Sequence, residues 1–251
     1  MRHYLYIAFL LILPFSASAQ IGEHRNTFSV GANAGYVLSD VGFEPTVSQG
    51  YHGGLTGGFT IRYTCEKYFN TIAAIQGEIN YASIGWKQEI KNRQDGPVIN
   101  SNGNAEKYSR TINYIQIPVL AHLAWGKEDQ GFNFFVNLGP QVGFYLGDTV
   151  DKNYDEPNIN DEQTGRSNTV IAQETMDIEK KVDYGIAFGG GLEYAHRRLG
   201  RFELEGRYYY GLGNLYGNSK RDYFGKSNFG NIIIKATYLF DLFRTKNDKI
   251  K

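Results

Sequence analysis

"GFNFFVNLGPQVGFYLG" runs from Gly131 to Gly147, and its alternation decides how the chain is read. Phe132, Phe134, Val136, Leu138, Pro140, Val142 and Phe144 take every second position, with Asn133, Asn137, Gly139, Gln141 and Gly143 between them. Successive side chains of a strand point to opposite faces. The stretch therefore carries apolar groups on one face and amides with glycines on the other.

The same period recurs in Phe28–Tyr36, Gly54–Thr64, Thr71–Ile84, Arg110–Trp125, Lys181–Tyr194, Arg201–Leu212 and Phe229–Phe240, which makes eight segments in all. Most reach the roughly 9–11 residues that a tilted strand needs to cross a bilayer. The connections alternate as well. "CEKYFN" (Cys65–Asn70), "GKEDQG" (Gly126–Gly131) and "HRRLG" (His196–Gly200) are tight and polar, whereas Val37–Gly53, Gly85–Ser109, Gly147–Lys180 and Gly213–Asn228 are long. Short turns at one end and long loops at the other are the anatomy of an outer-membrane barrel, with periplasmic turns and extracellular loops.

No stretch after the leader holds eighteen consecutive apolar residues, so no spanning helix is expected. In hydrocarbon every backbone N–H and C=O must be paired within the protein, which leaves only a closed sheet. The fold class expected is therefore all-β: an eight-stranded, antiparallel, up-and-down transmembrane β-barrel. Its apolar rows face lipid and its polar rows face the lumen. Tyr36, Tyr63, Tyr81, Trp86, Trp125, Tyr145, Tyr194, Tyr210 and Tyr238, near the strand ends, are expected in the interfacial belts. A water-soluble, lipocalin-type barrel would reverse the two faces. The even strand count, the loop parity and the 15% aromatic content, with 19 Tyr and 16 Phe, argue against it.

The composition fits. Lys plus Arg and Asp plus Glu balance at 26 each in 251 residues, so no excess positive field marks a nucleic-acid binder. "MRHYLYIAFLLILPFSASAQ" opens the chain with Arg2, an apolar run from Tyr4 to Leu13 and a small-residue site at Ala17-Ser18-Ala19. It reads as a signal peptide over residues 1–19, cleaved after Ala19. A short periplasmic segment (20–27), the barrel (28–240) and a polar tail (241–251) follow. Cys65 is the single cysteine, so the fold has no internal disulfide.

The inward rows carry Arg62, Glu78, Asp183, Glu193, Arg201, Glu203, Glu205, Arg207 and Lys235. Buried charges need partners, and eight strands leave a lumen that side chains fill. A polar network plugging the lumen is expected, and with it a non-enzymatic role, structural, adhesive or secretion-accessory, exercised through the extracellular loops; a narrow gated pore for ions or small solutes is the alternative. A membrane hydrolase is the remote third reading: His122, with Glu78 and a serine, has the residue types of a triad. In the longest loop, Asp151, Asn153, Asp155 and Glu162 match positions of a calcium loop, but Glu156 stands where that loop needs Gly and Pro157 opposes the turn. Gly225-Lys226-Ser227 ends like a phosphate loop, yet Lys220 replaces its first glycine. No cofactor is expected.

Three strands, "NYIQIPVLAHLAW" (Asn113–Trp125), "FVNLGPQVGFYLG" (Phe135–Gly147) and "DYGIAFGGGLEY" (Asp183–Tyr194), behind a signal-like leader, resemble the PorT-like outer-membrane β-barrel family of Bacteroidetes. The resemblance extends from Thr27 to Phe240. It implies a porin-like small barrel, in a family whose namesake serves a secretion system and most of whose members have no established activity. It speaks to location more than to role. The partners it implies are outer-membrane lipid and lipopolysaccharide, the barrel assembly machinery, and an envelope or secretion-system protein. One departure concerns the end of the chain. Such barrels finish on an aromatic read by the assembly machinery, whereas Phe240 is followed here by "DLFRTKNDKIK", leaving Phe240 or Phe243 for that part.

Overall fold

The structure, a computed structural model, describes residues 23–159, 164–217 and 222–246. The strands are β1 (Glu23–Glu44), the two-residue β2 (Gln49–Gly50), β3 (His52–Tyr68), β4 (Thr71–Gln88), β5 (Tyr108–Gly126), β6 (Gly131–Lys152), β7 (Val182–His196), β8 (Gly200–Gly211) and β9 (Lys226–Lys246). A single helical turn, α1 (Ala172–Thr175), lies between β6 and β7. No helix among the described residues is long and apolar enough to cross a membrane.

Each long strand pairs antiparallel with its neighbour in the chain, and β4 pairs with β5 while β9 pairs with β1. The ring is thereby closed, with β2 a fringe on β4. The closing seam is long, from Arg25↔Lys246 to Glu44↔Lys226. Closure leaves no long unpaired edge through the middle of the sheet, which is the condition for strands set in hydrocarbon.

The tight turns join β3 to β4, β5 to β6 and β7 to β8, all at the end where β1 begins and β9 finishes. Gly126 and Gly131 flank the middle turn with φ of 142° and 136°. A Cβ on Gly126 would stand 2.6 Å from the Phe132 carbonyl oxygen, so the bend requires glycine.

The alternation read from the sequence is realised around the ring. Phe59, Ile79, Leu138, Phe188, Leu204 and Ile234 face outward and are exposed, Phe59 to 74% and Leu138 to 57%. Gln76, Glu78, Asn80, Gln116, Asn133 and Asn137 face inward and are buried. Hydrocarbon rather than water suits an exterior of this kind.

The strands run past the expected limits at both ends. β1 starts before Phe28 and continues through Val37 to Glu44, and β9 continues past Phe240 to Lys246. The wall is also uneven: β1 and β6 have 22 residues each, β7 has 15 and β8 has 12.

Trp86 requires a correction. It was expected in an interfacial belt, yet it is 0% exposed and lies inside the barrel. Tyr145, also assigned to a belt, is half-buried beneath the Lys181 ammonium, which stands 3.8 Å from its ring centre.

Candidate functional site

The lumen is filled in three layers. The middle one is ionic and is supplied mainly by β8, whose inward positions read Arg201, Glu203, Glu205, Arg207 at the two-residue spacing of one strand face. Arg207 Nη1 and Nη2 donate to both oxygens of Glu78 at 2.9 Å each, and Nε donates to Glu205 at 2.9 Å. Lys235 bonds Glu78 and lies 3.6 Å from Glu205. Two carboxylates thus face two cations, and Asn80 and Asn137 donate to the remaining lone pairs at 2.8 and 2.9 Å.

A second cluster lies beside the first. Arg62 donates to Glu193 at 2.7 Å and also pairs with Glu203. Arg201 and Asn133 reach Glu193 at 3.0 and 2.8 Å. Gln76 joins the clusters, accepting from Arg62 at 3.0 Å and donating to Glu78 at 2.7 Å. All eight of these charged side chains are buried. Such networks seldom add net stability over apolar packing, but removing one partner is costly because it strands the other.

Of the nine lumen charges named from the sequence, eight meet in these two clusters. Asp183 stands apart, accepting a hydrogen bond from Tyr209 at 2.6 Å.

Toward the long loops the filling turns apolar. Val41, Phe43, Ile84, Trp86, Tyr108, Ile112, Tyr114, Tyr209, Tyr216, Phe224 and Phe229 form one buried cluster. Phe43 packs edge-on against Trp86, with ring centres 5.3 Å apart. The β6–β7 loop closes over this plug. Its α1 is seated by Gln173, whose carbonyl accepts from Tyr108 and Tyr216 at 3.3 and 3.4 Å, and by Met176, whose carbonyl accepts from Arg110 at 2.6 Å. Arg166, in the same loop, ties the lid to the rim through Glu106 at 2.7 Å and braces α1 from within through Glu174, and its guanidinium lies over Tyr154. Sequence reasoning missed this plug, because inward aromatics beside outward aromatics leave no period to read.

At the turn end Phe135, 0% exposed, packs with Ile72 and Ala124 and lies 5.0 Å from the His122 ring. Below them, Glu128 of the β5–β6 turn reaches Arg25 at 2.9 Å, Lys67 at 3.4 Å and Arg244 at 3.8 Å.

The remaining candidates are not assembled for the chemistry they suggested. His122 Nδ1 bonds Asn137 at 2.8 Å, and Glu78 is held by Arg207 and Lys235, so the two do not meet as a triad would require. Asp151 is in β6 opposite Ser109, and Asn153 uses its side chain on the Lys107 N–H and the Ala105 carbonyl, each at 2.8 Å. Asp155 is exposed, and Glu162 lies outside the described residues.

Residues 18–217 match the family model described as "Outer membrane protein beta-barrel domain". The chain belongs to this family. The strand ring agrees with the architecture of small outer-membrane barrels. Among solved structures, Neisserial surface protein A is similar at 12% identity over 87% of this chain and 100% of that one, with a TM-score of 0.42. OprG of Pseudomonas aeruginosa is similar at 13% identity over 87% and 98%, with a TM-score of 0.36. Ail, the attachment invasion locus protein of Yersinia pestis, is similar at 15% identity over 87% and 99%, with a TM-score of 0.35. No curated protein matches the sequence.

Proposed function

We propose that this outer-membrane barrel is a non-enzymatic, closed scaffold, PorT-like in kind, that acts through its long-loop end on an envelope or secretion-system partner. One observation carries the reading: the lumen is blocked at the floor by Glu128 with Arg25, in the middle by the ion pairs, and at the mouth by α1. A barrel filled in this way presents its chemistry on the rim and loops. The leader, cleaved after Ala19, would deliver it to the assembly machinery. The short turns would then face the periplasm and the long loops the exterior, with lipid and lipopolysaccharide around the apolar belt.

Planar-bilayer recording tests the closed lumen, with no steady single-channel steps expected. Cysteines placed in the long loops should cross-link to an envelope protein in intact cells, and failure to capture any would count against the scaffold reading.

A narrow gated pore is the second reading, and one feature favours it. The lid is held by side-chain hydrogen bonds to carbonyls of one helical turn, the Arg166–Glu106 ion pair and a few isolated backbone hydrogen bonds, and not by a strand ladder, so it is the part able to withdraw. Steady conductance would move the conclusion there.

A further inference from the structure

We propose that the second charge cluster is a site for a divalent transition-metal ion such as Zn2+, held by His122, Glu193 and Glu203. One ring nitrogen of His122 and one carboxylate oxygen from each glutamate lie within 4.8 Å of one another, and all three residues are buried. An imidazole with two carboxylates is a donor set that Zn2+ accepts.

The neighbours fix the imidazole for this task. Asn137 donates through Nδ2 to Glu205 at 2.9 Å, which turns its Oδ1 toward His122 Nδ1, 2.8 Å away. An amide oxygen only accepts, so Nδ1 carries the proton and Nε2 keeps its lone pair for a ligand. Metal-binding imidazoles are commonly oriented in this way.

Glu203 supplies the independent observation. One of its oxygens receives Arg62, but no donor reaches Oε2 although the side chain is sealed from solvent, and the Glu193 carboxylate stands within hydrogen-bonding range of the side chain. A buried acceptor without a donor is costly. Asp241, partly exposed, adds a negative charge 3.7 Å from Arg201, beside the two glutamates and two guanidinium groups of the cluster.

Arg62 does not exclude the ion. It bonds one oxygen of each glutamate, and a carboxylate offers about four lone-pair sites. Tetrahedral zinc ligands stand about 3.4 Å apart, so binding would draw the three atoms together by roughly an ångström. With floor and mouth closed, the ion would enter as the sheet closes and would couple to folding. The competing occupant is a proton on Glu203.

The test uses full-length protein refolded into detergent with Zn2+ or with a chelator, then freed of unbound metal. The zinc-refolded barrel should retain about one ion per chain and lose its unboiled gel migration at a higher temperature. Its zinc-edge X-ray absorption should show imidazole scattering. His122→Gln and Glu203→Gln should each lose the ion, whereas Asp155→Asn in the surface loop should keep it. A wild-type barrel that retains no zinc and melts identically after either refolding overturns the proposal and leaves Glu203 to a proton. Equal zinc retention by folded His122→Gln, or a spectrum without imidazole, also overturns it. If both variants fail to close, the wild-type content and spectrum decide.

Discussion

Glu128 and Arg25 are 103 residues apart and meet across the width of the barrel floor at 2.9 Å. Glu128 lies in the turn between β5 and β6, and Arg25 lies on β1, on the opposite side of the ring. The contact spans the lumen as a tie-bar, with Lys67 and Arg244 drawn to the same carboxylate. Glu128→Ala should leave the buried Arg25 guanidinium short of its main anion. The expected loss is toward the lower end of the roughly 3–5 kcal/mol for breaking a buried pair, because other groups also touch Arg25. Urea titration of the detergent-folded barrel, followed by tryptophan fluorescence, measures it.

Arg207 neutralises Glu78 and Glu205 together. Arg207→Met leaves two carboxylates to Lys235 alone and should cost roughly 3–5 kcal/mol. Adding Glu78→Gln restores the balance, with Glu205 against Lys235. The double variant should therefore be more stable than the single one, by about 1–3 kcal/mol. Equal stabilities would show that the ionic layer is not a coupled unit.

Leu138 tests which solvent the barrel's exterior meets. It is exposed in the middle of β6, between Phe134 and Phe144 on the same face. Leu138→Arg should cost roughly 2–4 kcal/mol in a bilayer, as for a cation near the midplane of an outer-membrane barrel. On a water-bathed exterior the same change would be close to neutral. Reversible folding into lipid vesicles distinguishes the two.

Arg166 and Tyr154 hold the lid to the rim, outside the strands. Burial pushes the Tyr154 hydroxyl upward, Glu174 adds to that, and Arg166 opposes it. A raised folded-state value makes a contribution that is full below the ordinary tyrosine value of about 10 and is lost as pH rises beyond it. Protease cleavage of the β6–β7 loop should therefore stay flat through neutral pH and increase only in strong alkali. Tyr154→Phe should lose one late-titrating phenol in near-ultraviolet absorbance. Arg166→Ala, which strands Glu106 and Glu174, should raise cleavage at neutral pH severalfold.

What could be read from the chain followed from how local the signals are. The outward rows and the inward charges of β8 repeat every two residues, so strand geometry alone places them, and the loop parity follows from where those rows stop. The partners of those charges could not be read, because Arg62, Glu78 and Lys235 reach them from three other strands. The upper plug was hidden for a different reason. Around Trp86 the positions Ile84, Gly85 and Trp86 are all buried, so the alternation that marks a one-sided strand disappears where it becomes informative. The tie between Glu128 and Arg25, like the seating of Gln173, rests on loop paths with no periodicity at all.

The unequal strands give the molecule a front and a back. At about 3.3 Å per residue and a tilt near 45°, the 22-residue strands rise roughly 50 Å. The apolar band of such barrels is about 25 Å tall. β8, with 12 residues, does little more than span that band. The result is a turret with one side cut down. Anything gliding along the bilayer meets a stiff parapet from one quarter and a low sill from the other, so its bearing in the membrane plane decides what it touches first.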